Sequence, residues 1–293
     1  MIAKLIKQLK RKAYQRLELP LKRKFYPNTK LSEREHPVLD ALLQNGIAVL
    51  NLSDLFEPTL LEELTTEFMQ FYNSPNTQQI RAENCSGSVN NMQYKNYNLR
   101  SSTIQPLLSA QSAILKIGLS EQLGKIASAY FKELALLRYA DYWLSMPIPK
   151  AERNYSQNWH RDPEDQQILK VFVYFNNVDE NNGAFEYIKG SHQTGPYNAI
   201  FPYDKEHPNN YPDEADLRQA IPADAFTINS GLKGTVIVCD THGFHRGGYC
   251  KTADRWLMTF MFNRASLIIS NQFKVTNTSN LTPIQKKYYA TFG

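Results

Sequence analysis

The chain has 293 residues, 42% of them apolar and 12% aromatic, which excludes a disordered chain and requires a substantial core. Its three cysteines, Cys85, Cys239 and Cys250, are too few and odd in number for a disulfide framework, and point to a reducing compartment, the cytoplasm. The net charge of +5 is unevenly spread: residues 1–26 carry nine Lys/Arg against Glu18 alone, and the remainder carries 24 against 27 acids, so the body is mildly acidic and no nucleic-acid partner is expected.

In chain order, residues 1–26 read as a basic amphipathic arm. Ile2, Leu5, Ile6, Leu9, Ala13 and Leu17 recur at helical spacing with cations between them. The lysines break up any secretory h-region and any bilayer span. Such an arm either lies on an anionic membrane surface, on the cytoplasmic face, or packs on its own domain with a solvated basic side. Residues 27–293 are expected to form a single domain. Ser32-Glu33-Arg34-Glu35 reads as a capping box opening a helix to about Gln44, stopped by Asn45-Gly46. Ile47–Leu50 is a short strand, and Leu60, Leu61, Leu64, Phe68 and Phe71 mark the next helix. Residues 74–105 are polar and are expected to be irregular. Residues 106–132 return to helical spacing. From Glu133 the pattern turns to strands: Leu134–Met146, Ile168–Asn176, Ala184–Ile188, Gly234–Cys239 and Arg255–Phe262. About thirty residues after Gly190-Ser191-His192, to about Ala225, form a long loop suited to a lid or binding role.

The chemistry concentrates in Trp159-His160-Arg161-Asp162, Phe244-His245-Arg246-Gly247-Gly248 and Arg255. A His and an Asp two apart on an extended segment share a side, and a second His can complete a face of two imidazoles and one carboxylate with open positions, as in non-haem Fe(II) oxygenases. A lone His-x-Asp is common by chance, so the motif gains weight only from the ordered blocks around it. His242 competes with His245 as third ligand; His192 reads as a structural residue of its turn.

Those blocks resemble the phytanoyl-CoA dioxygenase family of Fe(II)/2-oxoglutarate oxygenases. The resemblance covers residues 133–262 and rests on Trp159–Asp162, Leu169–Ala184, Gly190–His192, Gly234–Asp240, Phe244–Gly248 and Arg255. It implies an α+β fold: a double-stranded β-helix, that is, a cupin-like jelly roll, over about residues 133–265, with N-terminal helices packed outside. It implies that His160, Asp162 and His245 bind iron, and that Arg255 clamps the distal carboxylate of 2-oxoglutarate, as a guanidinium fork suits. Arg246 and Arg264 are fallback candidates for that clamp. Phe172 matches an aromatic that flanks the cosubstrate in relatives, and Tyr174 shares its parity; plain core packing is the alternative for both. The implied reaction consumes O2 and 2-oxoglutarate, releases succinate and CO2, and hydroxylates an unactivated C–H bond. Halogenating relatives lack the carboxylate that Asp162 supplies here.

Tyr94, Tyr97, Arg100, Tyr197, Tyr203 and Tyr211 suggest a polar pocket. With the basic arm, they suit a membrane-presented, lipid-linked sugar such as the Kdo of lipid A. A soluble small molecule or an acyl-CoA is the alternative. Two readings from other classes are a non-catalytic metal-binding, membrane-docking module and a zinc hydrolase on the same ligands; an intact ligand set with Arg255 favours the oxygenase.

Overall fold

The computed structural model describes residues 30–85, 98–104, 107–147, 153, 155–204, 210–267 and 271–289, with positions 9, 12–18 and 20 of the arm. Within the arm, Tyr14–Glu18 forms a π-helical turn, and Leu9 and Leu17 are exposed; the rest of the arm lies outside the described residues.

Helix α1, His36–Asn45, carries Pro37 in its first turn and stops at Gly46, whose φ of 77° is left-handed. Half of the predicted capping box forms: the Ser32 backbone N–H donates to Glu35 Oε2 at 2.7 Å. Gly46 is also sterically required, because a Cβ there would meet Tyr187 Oη at 2.4 Å and the His192 ring at 2.7 Å. Strand β1, Ile47–Asn51, follows at once. Helix α2, Thr59–Tyr72, buries Leu64 and Phe68. The stretch expected to be irregular instead opens with helix α3, Pro75–Cys85, and resumes with strand β2, Asn98–Arg100, and a helical turn, Ser101–Ile104. A strand of two residues, β3 (Leu107–Leu108), precedes helices α4, Ala113–Gly118, and α5, Glu121–Phe131. The two are separate because Ser120 caps the second, its hydroxyl accepting from the Leu123 N–H at 3.3 Å.

The strands then come in sequence: β4 Ala135–Ser145, β5 Leu169–Tyr174, β6 Phe185–Ile188, β7 Phe226–Asn229, β8 Thr235–Asp240, β9 His245–Arg246, β10 Arg255–Arg264 and β11 Lys274–Val275. Helix α6, Glu214–Ala220, interrupts what reads as one long loop, and α7, Pro283–Tyr288, follows β11. The major sheet has the order β1-β8-β5-β10-β4-β2 and the minor sheet β7-β6-β9. An isolated antiparallel bridge between His160 and His245 extends the minor sheet by one more segment.

This is the expected jelly roll, with one addition: the N-terminal third supplies both edges of the major sheet as well as an outer helical layer. The alternation on β5 explains the layering. Leu169, Val171 and Val173 face the helices, in a cluster with Phe68, Ile114, Leu137 and Phe260. Phe172 and Tyr174 face the minor sheet, against Phe185 and Tyr187. Phe68 is fully buried and touches the rings of Phe175 and Trp256 at centroid distances of 5.2 and 5.4 Å; truncating such a side chain costs about 3–5 kcal/mol. The helical layer thereby packs against the face of the sheet away from the cavity.

Candidate active site

His160 and His245 are paired across the bridge. Each backbone N–H donates to the other's carbonyl at 3.1 Å, and the Asp162 N–H donates to Thr241 O at 2.9 Å. With period-two alternation, His160, Asp162 and His245 turn inward, and Arg161 and Arg246 turn to the opposite side. His160 Nδ1 bonds Asn158 O at 2.8 Å and His245 Nδ1 bonds Gly243 O at 3.0 Å. A carbonyl can only accept, so each Nδ1 carries the proton and each Nε2 presents a lone pair. Those Nε2 atoms lie 3.9 and 3.6 Å from the Asp162 carboxylate, and one donor atom from each residue falls within 4.8 Å of the others.

Burial, then the neighbouring His160, pushes His245 down to about 3, so it stays a neutral donor at physiological pH. Burial alone would raise Asp162, but Lys170, His245 and His160 outweigh it and hold the carboxyl well below its usual range. Lys170 Nζ sits 2.6 Å from Asp162 Oδ2.

The outward arginines fix the long connection after His192. Arg161 donates to Ser191 O and His242 O at 2.6 and 2.7 Å, and to Asn198 O and Ile200 O at 3.2 and 3.1 Å, with its guanidinium 3.9 Å over Phe244. Arg246 pairs with Glu186 at 2.6 Å and with Glu214 of α6 at 2.7 Å, and lies 4.4 Å over Trp159. Arg246 is therefore committed to carboxylates of its own chain, as is Arg264, paired with Asp165 at 2.6 Å. His192 is buried with Nε2 3.2 Å from Leu43 O. His242 lies outside the three-residue cluster, its N–H held by Asp240 at 3.0 Å.

Arg255 enters from the start of β10. Its guanidinium donates to Gly183 O and, at 3.1 Å, to Ser145 Oγ, while its buried Nε has no partner among the described residues. Of the Gly-Gly pair that follows Arg246, Gly248 is sterically required: a Cβ there would lie 2.1 Å from Ala184 O. Phe172 and Tyr174 line the same cavity. The Tyr174 hydroxyl is already spent, donating to Asn229 O and accepting from the Phe185 N–H, both at 3.1 Å.

The cavity measures about 460 Å³. Strand register gives it a direction: Arg255 pairs with Ser145, Leu257 with Trp143 and Met261 with Tyr139, so Arg255 and Tyr139 mark opposite ends. At the Tyr139 end, Trp143 Nε1 donates to Tyr139 Oη, and that hydroxyl donates to Asp141, each at 2.7 Å. Asp141 also accepts from the Ser101 hydroxyl at 2.6 Å and the Ser102 N–H at 2.9 Å. These bonds anchor the backbone just after Arg100, whose guanidinium lies 4.7 Å over Trp143. Arg100, Tyr203 and Tyr211 of the predicted polar set line the cavity. Tyr197 instead packs in the cluster of Trp159, Ile188 and Phe244. Tyr94 and Tyr97 lie outside the described residues. Tyr139, Trp143 and Lys170 were not anticipated; their inward parity on β4 and β5 was the available signal.

The phytanoyl-CoA dioxygenase (PhyH) family matches residues 42–255, well over half of the chain. The chain belongs to the phytanoyl-CoA dioxygenase family. Among solved structures, this PhyH-family protein is similar to EctD from S. alaskensis with 2-oxoglutarate and 5-hydroxyectoine: 19% identity, TM-score 0.55, covering 86% of this chain and 84% of that one. It is also similar to the non-haem epimerase SnoN from nogalamycin biosynthesis, in complex with Fe3+, alpha ketoglutarate and nogalamycin RO: 11% identity, TM-score 0.53, covering 81% and 86%. AviO1 from Streptomyces viridochromogenes Tue57 gives 13% identity and TM-score 0.50, covering 82% and 100%. At these identities the likeness establishes a shared fold. No curated protein matches the chain.

The PhyH-family protein is an Fe(II)/2-oxoglutarate-dependent oxygenase. Its donor chemistry fits those cofactors: two imidazoles and a carboxylate suit a ferrous ion with open positions, and a buried arginine fork suits a carboxylate. Among the described residues, no helix is long and apolar enough to cross a membrane.

Proposed function

We propose that His160, Asp162 and His245 hold Fe(II), that Arg255 with Ser145 receives the distal carboxylate of 2-oxoglutarate beside Phe172 and Tyr174, and that the enzyme hydroxylates an aliphatic C–H bond of a polar small molecule seated toward Arg100 and Trp143. The observation that carries this reading is one cavity with three convergent donor atoms and a buried arginine at one end. When bound, iron and 2-oxoglutarate supply the oxidation with O2, and succinate and CO2 leave.

The chain's own residues position and exclude. Carbonyls of Asn158 and Gly243 orient the two imidazoles. Tyr203, Asn210 and Tyr211, on the segment held by Arg161 and Arg246, wall the cavity against water. At the substrate end, the polar atoms of Trp143 and Tyr139 are satisfied internally, so their rings offer apolar faces. Arg100 and Gln272 offer the polar contacts.

The finer reading, a lipid-linked sugar presented at an anionic membrane, is supported by the cation at Arg100, the nine cations of the arm and the exposure of Leu9 and Leu17. A soluble polar acid fits the same cavity. A succinate-release screen with Fe(II), 2-oxoglutarate and a panel of sugar acids, lipid-linked sugars and acyl-CoAs separates them. Arg100→Gln should raise KM for the accepted compound at least tenfold; an unchanged KM rejects the assignment of that end. Deleting residues 1–26 should abolish sedimentation with anionic vesicles, and equal sedimentation of both forms rejects membrane docking through the arm. No succinate with any compound rejects all three substrate classes.

A further inference from the structure

Lys170 is out of place by the logic of its strand. Every other residue of β5 is buried and apolar. Across the sheet, Lys170 pairs with Cys239 of β8 and Met261 of β10, so the adjoining strands offer it no counter-charge. Its inward parity directs it into the cavity, where its ammonium meets Asp162 Oδ2 at 2.6 Å. The side chains are 17% and 11% exposed. A charge this sheltered persists only with a partner. Glu164 lines the same part of the cavity, yet the ammonium contacts the ligand carboxylate.

We propose that Lys170 is a built-in counter-ion for Asp162, which holds that carboxylate to ligation through one oxygen and stands in for the metal's charge in the metal-free protein. Two consequences follow from charge and geometry, and both rest on the metal reading above. Without metal, burial would leave the Asp162 carboxylate without a full counter-charge; Lys170 supplies one at 2.6 Å. With metal, Lys170 keeps Oδ2 engaged and leaves Oδ1 as the donor. The carboxylate then cannot swing to two-oxygen ligation and fill a position that the cosubstrate or O2 needs. Because the ammonium competes with the metal for the same carboxylate, it also weakens metal binding. Most residues that support ligands do the opposite.

The test uses Co(II) as a spectroscopic probe, titrated into the full-length protein and its variants, with melting temperatures measured with and without Co(II). Lys170→Met should bind Co(II) about tenfold more tightly than the wild type, with a changed visible spectrum as the second carboxylate oxygen becomes available. The metal-free Lys170→Met protein should melt lower. Co(II), or the second substitution Asp162→Asn, should restore its melting temperature. Unchanged or weaker Co(II) binding with an unchanged spectrum overturns the proposal. If Lys170→Met does not fold without metal, the double variant decides: recovery supports the counter-ion role, and no recovery shows that the lysine only fills space. His160→Ala binding Co(II) as tightly as the wild type would instead overturn the metal reading, and the Lys170 proposal with it.

Discussion

His160 and His245 are direct antiparallel neighbours, exchanging two backbone hydrogen bonds of 3.1 Å, with ring centroids 4.2 Å apart. Their separation is therefore set by the spacing of two hydrogen-bonded strands, one of the least variable distances in a protein. Neither ring depends on a flexible loop for its placement, and neither can be replaced from a neighbouring position without changing parity.

His160→Ala should lower Fe(II)-dependent succinate release at least about 100-fold and abolish Co(II) binding, while the melting temperature of the metal-free protein stays near that of the wild type. Succinate release at the wild-type rate would show that His160 is no ligand.

Arg255→Lys should raise KM for 2-oxoglutarate by about ten- to a hundredfold, since a point charge cannot reproduce a two-pronged contact and about 1.5–3 kcal/mol is at stake in such a charge-assisted bond. Co(II) affinity should not change. A KM within twofold of the wild type would move the cosubstrate carboxylate elsewhere.

Arg246 lies between a buried and a half-exposed carboxylate, and the two ends should behave differently. Arg246→Met leaves buried Glu186 without its closest cation, and should cost about 3–5 kcal/mol in urea unfolding. Glu214→Gln removes only the partner that is 38% exposed, and should cost less than about 1 kcal/mol. Equal losses would show that α6 is as firmly fixed as the sheet.

Asp240 gives a pH dependence with a definite sign. Burial raises its carboxyl to about 6, although Tyr130 and the N–H groups of Ile168 and His242 work against the rise. Folding therefore favours the protonated form. That stabilisation is complete below the unfolded value near 3.9 and is lost as pH rises through about 6, a change of about 3 kcal/mol. Relative to Asp240→Asn, which cannot ionise, the wild type should lose that stability between pH 4 and pH 7. Parallel stability curves for the two proteins would refute it. The comparison with the variant is needed because the lowered His245, His192 and His242 have the opposite slope as the unfolded histidines titrate.

The convergent residues were legible because strand alternation is strict: His160 and Asp162 share a side whatever the surrounding loops do. The jelly roll was legible from the order of its apolar runs. The edge strand β2 was not, since three residues after a polar stretch carry no periodicity. Helix α3 was missed because Pro75–Cys85 has little apolar character on either side; it is held by tertiary contacts such as the ion pair of Arg81 with Asp254 at 2.9 Å. Lys170 escaped notice because one lysine in an apolar strand reads as a solvent-facing position. Tyr197 was misjudged for the converse reason: a tyrosine in a polar loop suggests a binding wall, whereas its cluster with Trp159 makes it a packing residue.

The N-terminal third contributes β1 and β2, which flank the major sheet. A fragment beginning at β4 would keep every residue assigned here to iron and 2-oxoglutarate, yet it would lay bare the outer hydrogen-bonding groups of β8 and β4, two ready templates for self-association. The catalytic half is therefore no minimal enzyme: the strands that cover its sheet edges lie upstream of its chemistry.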